Sequence, residues 1–132
     1  LEFRRVLFRS QIDRINILNA ALLAMRRAIA GLSQKPSYIL VDGNVIPSSP
    51  SGISTTAVVG GDRFIPCISA ASIVAKVTRD RMMTNLDFYF PEYGFKDHKG
   101  YGTAFHYEQL LKVGVSAVHR KSFQLGVQGK LF

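Results

Sequence analysis

The chain has 132 residues, which suits a single domain. Hydrophobic residues make up 47% and charged residues 20%, a balance that excludes an intrinsically disordered chain. The formal net charge of +8 favours a polyanionic partner, with nucleic acid as the first candidate, although a basic protein without such a role has the same composition. The single cysteine, Cys67, excludes a disulfide framework and points to a reducing cytoplasm. No apolar stretch approaches the ~20 residues that a membrane helix needs.

Residues 1–10 look foreign to the rest of the chain and are expected to be a non-native leader. Arg4, Arg5 and Arg9 interrupt any clean period, and the segment is too short and too arginine-rich for a secretory signal. Residues 11–132 form the expected structured part. Asp13 is a good N-cap for a helix over 13–30. Leu18, Leu22, Met25, Ile29 and Leu32 give that helix one apolar stripe, and Gly31 can close it in a left-handed conformation. Pro36 then forces an extended start.

Tyr38-Ile39-Leu40-Val41 reads as a buried strand ending at Asp42-Gly43. A loop is expected over 47–52 from its Pro, Ser and Gly content. A second β-rich run, 55–59, ends at Gly60-Gly61-Asp62. A long helix is predicted over 69–90, about 33 Å at ~1.5 Å per residue, with Ala70, Ala71 and Ala75 suited to close packing on a sheet. Pro91 stops it, and 92–102 reads as a loop. Thr103 caps a further helix that Gly114 ends, and Ser116 is a candidate cap for a short helix through His119. Helix, strand, strand and helices make the class α/β.

Three constellations can carry chemistry. Asp42 and Asp62 are carboxylates at the ends of two strands, where ligands of open α/β sheets gather. Together they could hold Mg²⁺ or Mn²⁺, hard ions that prefer carboxylate oxygen. Asp-Gly also makes ordinary turns, and spacing alone leaves both readings open. Ser72, Lys76 and Arg79 fall on one face of the long helix and could hold phosphates, or could be a solvated charged face interrupted by Asp80. In Lys99-Gly100-Tyr101-Gly102 the flanking glycines let the backbone approach a ligand, with Tyr101 stacking on a sugar or base and Lys99 near a phosphate. The same tyrosine could instead anchor the loop over the core. His98, His106 and His119 lack metal-ligand spacing and read as surface or satisfied polar residues. Cys67 reads as a small core residue.

In order along the chain, Ile12-Asp13-Arg14-Ile15-Asn16-Ile17-Leu18, Leu40-Val41-Asp42-Gly43-Asn44, Gly61-Asp62, residues 68–80, His98-Lys99-Gly100-Tyr101-Gly102-Thr103 and His119-Arg120-Lys121-Ser122-Phe123 resemble the ribonuclease HII family (bacterial type 2 ribonuclease H). The most specific stretch is 68–80, and the resemblance runs over about 11–123.

The resemblance implies a ribonuclease H-like fold, a mixed sheet flanked by helices. It implies an endonuclease that hydrolyses the RNA strand of RNA–DNA hybrids and cuts duplex DNA at embedded ribonucleotides, with two Mg²⁺ or Mn²⁺ ions. Asp42 and Asp62 would then be catalytic metal ligands, Tyr101 would recognise the ribonucleotide, and Ser72, Lys76, Arg79 and Lys99 would lie along the substrate.

Two departures qualify the match. Gly60-Gly61-Asp62 stands where the family has Lys-Gly-Asp. None of the nine acidic residues is adjacent to another, and no Gly-Arg-Gly occurs, whereas the family carries an Asp-Glu pair and a Gly-Arg-Gly run near its N-terminus. The expectation is therefore a chain missing its first strands and half of its carboxylate set, with little activity of its own. The alternative is a module that binds hybrid duplex without cutting it. A monomer is expected, with no membrane association.

Overall fold

The computed structural model describes residues 2–48 and 52–120. Part of the predicted 47–52 loop and the Lys121-Ser122-Phe123 end of the last motif lie outside them. The chain divides into two compact units, one of residues 1–60 with 117–132 and one of residues 61–116.

The first unit opens with α1, Glu2–Ala30. Helix therefore starts well before Asp13, including residues 2–10. The cap appears instead at Asn16, whose φ of 66° and ψ of 169° break the helical path. Asn16 Oδ1 accepts the Asn19 N–H at 3.0 Å, the geometry of a side chain capping the helix that resumes at Ile17. Asn tolerates positive φ better than most residues, so it can serve as this break where Asp13 cannot while it lies within regular helix. Asp13 is held on the helix surface by Arg9, 3.4 Å away. Gly31 ends α1 without a left-handed turn, its N–H reaching the Arg27 carbonyl at 3.0 Å and the Ala28 carbonyl at 3.2 Å. The predicted apolar stripe is largely uncovered, with Leu18, Met25 and Leu32 exposed. Among the described residues the sheet of this unit has two strands.

β1, Tyr38–Asp42, and β2, Ser54–Val58, form a parallel pair in the register Tyr38↔Ser54 to Asp42↔Val58. Burial along β1 alternates rather than running continuously as expected: Ile39 and Val41 are buried, while Tyr38, Leu40 and Asp42 face outward. Alternation is what a pleated strand gives when only one face is covered. On the open face the Tyr38 hydroxyl and Thr56 Oγ1 share a hydrogen bond of 2.6 Å.

The second unit begins with a 3-10 helix, Gly61–Arg63, and continues into α2, Pro66–Tyr89. α2 starts three residues before the predicted Ser69 because Pro66 takes its first position, where a missing N–H costs nothing. Ser69 Oγ then donates to the carbonyls of Asp62, at 2.5 Å, and Ile65. Pro91 ends α2 as predicted. Ala70, Ala71 and Ala75 are not covered by a sheet as expected, since all three are exposed, and Cys67 is exposed against its expected core position.

The predicted 92–102 loop is more ordered than its composition suggests. A 3-10 helix, Pro91–Tyr93, leads to α3, Phe95–His98. α4, Ala104–Val113, is capped as predicted: Thr103 Oγ1 accepts the His106 N–H at 3.2 Å, and Gly114 follows its last turn. No helix follows Ser116, where 117–119 form a turn and a bend. Tyr93 and Phe95, each 2% exposed, stack with ring centroids 5.4 Å apart at the centre of this unit. The α/β class stands, built here on one parallel pair among the described residues.

Candidate functional site

Asp42 ends β1 on its exposed face. Beside it the Gly43 N–H, at φ 116°, donates to the Val58 carbonyl at 3.0 Å and ties off the ladder. Asp42 thus occupies the strand end that its sequence position suggests. Asp62 does not: β2 ends at Val58, left-handed Gly60 turns the chain out of the strand, and Asp62 sits exposed in the 3-10 helix of the second unit.

Both carboxylates are hard donors of the kind Mg²⁺ or Mn²⁺ takes, but such an ion needs six or so oxygens. Among the described residues no group of three or more His, Cys, Asp or Glu side chains could hold a metal ion. The described residues therefore do not make up a metal site by themselves.

The basic candidates lie in the second unit. Ser72, Lys76 and Arg79 are exposed along α2. Lys76 Nζ pairs with Asp80 Oδ2 at 2.7 Å, one turn on. That contact raises the Lys76 pKa above its ordinary value and lowers that of Asp80, which Lys99 and Arg79 lower further. Asp80 is thus ringed by three cations, a role its sequence position did not announce. Lys99 reaches back to α2, where Nζ donates to Thr84 Oγ1 at 3.1 Å, and also to the carbonyl of Lys96.

Arg79 and Tyr101 come together across the unit. The Arg79 Cζ lies 5.1 Å from the centroid of the Tyr101 ring, within cation–π range. Tyr101 is 61% exposed, so the pair offers a planar cation and an aromatic face at the surface. Gly100 makes this approach possible. Its φ is 79°, and a Cβ there would meet Met83 Cε at 2.9 Å and Arg79 Nη2 at 3.6 Å.

Sequence reasoning missed what holds Tyr101. Its N–H donates to the His98 carbonyl at 2.9 Å, and its carbonyl accepts from the Thr103 N–H at 2.9 Å. The same carbonyl accepts from His106 Nδ1 at 3.0 Å. His98 and His106 are buried, satisfied polar residues, as the lack of ligand spacing suggested. The available signal was their position, one on each side of Gly-Tyr-Gly.

The surface around α2, Tyr101 and Asp80 is of a kind that suits a phosphate backbone and a stacked base or sugar. The sequence model of the family described as Ribonuclease HII matches residues 3–126. The chain belongs to the ribonuclease HII family. Ribonuclease HII acts on the RNA strand of RNA–DNA hybrids and generally depends on divalent metal ions. Among the described residues, no helix is long and apolar enough to cross a membrane.

Proposed function

We propose that this chain carries the substrate-gripping surface and two of the metal-holding carboxylates of an endonuclease. The enzyme hydrolyses the RNA strand of RNA–DNA hybrids and cuts duplex DNA on the 5′ side of an embedded ribonucleotide. The family match over residues 3–126 carries this reading. In it, Tyr101 meets the sugar and base of the ribonucleotide, and Ser72, Lys76, Arg79 and Lys99 follow the backbone on either side. The exposed Tyr101 ring with Arg79 against it supports those roles. Asp42 and Asp62 are the residues proposed to take part in holding Mg²⁺ or Mn²⁺. The catalytic domain is a ribonuclease H-like mixed sheet with flanking helices, acting as a cytoplasmic monomer.

These 132 residues contain no adjacent acidic pair, and the described ones bring no three metal donors together. The chain by itself is therefore a poor catalyst. That same observation favours a second reading, a module that binds hybrid duplex without cutting.

The deciding experiment presents the chain with a duplex bearing one ribonucleotide, in Mg²⁺ or Mn²⁺. Slow cleavage 5′ to the ribonucleotide, lost in Asp42→Asn, supports the endonuclease. Ribonucleotide-selective binding with no cleavage in either protein supports the binding module. Equal affinity for all-DNA duplex, ribonucleotide-bearing duplex and RNA–DNA hybrid, without cleavage, rules out both.

A further inference from the structure

Two buried imidazoles stack between the elements that carry Tyr101. His98, the last residue of α3, and His106, in the first turn of α4, lie with ring centroids 4.3 Å apart and planes 13° from parallel. Phe95 closes the edge of both rings, 5.9 Å from His98 and 5.8 Å from His106.

Their hydrogen bonds fix the tautomers. The Gly100 N–H donates to His98 Nδ1 at 3.0 Å, so that nitrogen carries a lone pair. His98 Nε2 then carries the proton and donates to the Tyr93 carbonyl at 2.7 Å. A backbone carbonyl only accepts, so His106 must hold its proton at Nδ1 to bond the Tyr101 carbonyl. One ring therefore grips the residue before Tyr101 and the other grips Tyr101 itself, each through its Nδ1 but in opposite roles, as acceptor and as donor. Both rings are buried.

We propose that His98 and His106 are positioning residues that set the orientation of Tyr101, and through it the discrimination of a ribonucleotide from a deoxyribonucleotide. The proposal deepens the reading of Tyr101 as the residue meeting the ribonucleotide and rests on it. Backbone held at the N–H and the carbonyl leaves Tyr101 only its side-chain torsions, and Arg79 over the ring restricts those. A tyrosine so restrained presents one face and one hydroxyl direction, which is what reading a single 2′-hydroxyl requires. General affinity for duplex comes from Lys76 and Arg79 on α2 and does not pass through the imidazoles.

The test measures affinity of the full chain, by fluorescence anisotropy, for a duplex with one ribonucleotide and for its all-DNA counterpart. In His106→Leu the preference for the ribonucleotide falls by about threefold to tenfold, the worth of one hydrogen bond, while all-DNA affinity stays within about twofold. His106→Asn, whose amide N–H can replace Nδ1–H, retains most of the preference. If Tyr101→Ala leaves the preference intact, the reading of Tyr101 fails. If Tyr101→Ala removes it but a folded His106→Leu keeps it in full, the positioning proposal alone is overturned. Nitrogen-15 spectra of the unsubstituted chain give a check independent of any variant. A proton on His98 Nε2 and one on His106 Nδ1 are expected at neutral pH, and the opposite tautomer at either ring overturns the proposal.

Discussion

His98 and His106 stack face to face in a buried pair, and the two rings hold the backbone on either side of Tyr101. Burial lowers the His106 pKa below its ordinary value of 6.5, and the neighbouring His98 lowers it further, against a raising effect of the Tyr101 carbonyl. As pH falls the unfolded chain therefore takes up this proton first. The stability held by the neutral ring is complete above ~6.5 and is lost as pH drops through the lowered folded value. Urea unfolding between about pH 8 and pH 5 should show stability falling on the acid side, by at most about 1.4 kcal/mol per pH unit for one proton. In His106→Asn that slope should flatten. An equal slope in both proteins would assign the acid sensitivity to other groups.

Gly102 is required by crowding rather than by its backbone angles. A Cβ there would lie 2.5 Å from the Tyr107 hydroxyl and 3.0 Å from its ring. Gly102→Ala must displace the half-buried Tyr107 side chain and should lower stability, by about 1 kcal/mol or less at this partly exposed position. Adding Tyr107→Leu should recover part of the loss, and a double-mutant cycle by thermal unfolding measures the coupling. Additive effects would show that the two side chains do not meet.

The parts of the fold that were legible in the sequence are those set by local chemistry. Pro91 stops α2, Thr103 caps α4 and Gly114 follows it, because each acts through its own backbone or the next turn. Asp42 at the end of β1 was legible for the same reason. Asp62 was not, because Gly60 and Gly61 turn the chain before a strand can reach it. The Arg79–Tyr101 contact and the two imidazole clamps depend on α2, α3 and α4 packing together, which no residue pattern encodes. The open face of β1 and the exposed stripe of α1 show the converse, since an apolar period predicts a face but not its cover.

The α1 cap tests that distinction directly. Asp13 and Asn16 are both capping types, three residues apart, and pattern alone favours the first. Asn16 carries the cap because its side chain reaches the Asn19 N–H while its backbone takes a positive φ. Asn16→Ala should cost about 1 kcal/mol for the lost cap, plus strain at that φ. Asn16→Gly should cost less, since glycine relieves the strain while losing only the side-chain bond. Asp13→Ala should cost less than Asn16→Ala, because Asp13 lies within regular helix and does not cap it. Chemical denaturation of the three variants ranks them, and a larger loss at Asp13 than at Asn16 would overturn the assignment.

If Lys76, Arg79 and Lys99 follow the substrate backbone as proposed, then Asp80, paired with Lys76, is expected to hold back nucleic-acid binding. Lys76 engages Asp80 at 2.7 Å, and Lys99 and Arg79 also stabilise the ionised carboxylate. Asp80→Asn removes that charge, frees Lys76 for a phosphate and adds one to the net positive charge. Affinity for hybrid duplex should rise, and the slope of log affinity against log salt should steepen by up to about 1. Lys76→Glu and Arg79→Glu should each weaken binding and flatten the slope by about 1 or more. Asp42→Asn should leave it unchanged, since that carboxylate is proposed to serve the metal and not the backbone grip. Titrations at several salt concentrations separate these outcomes. Weaker binding by Asp80→Asn in a protein that still unfolds cooperatively would mean that Asp80 organises the cations for the duplex instead of holding them from it.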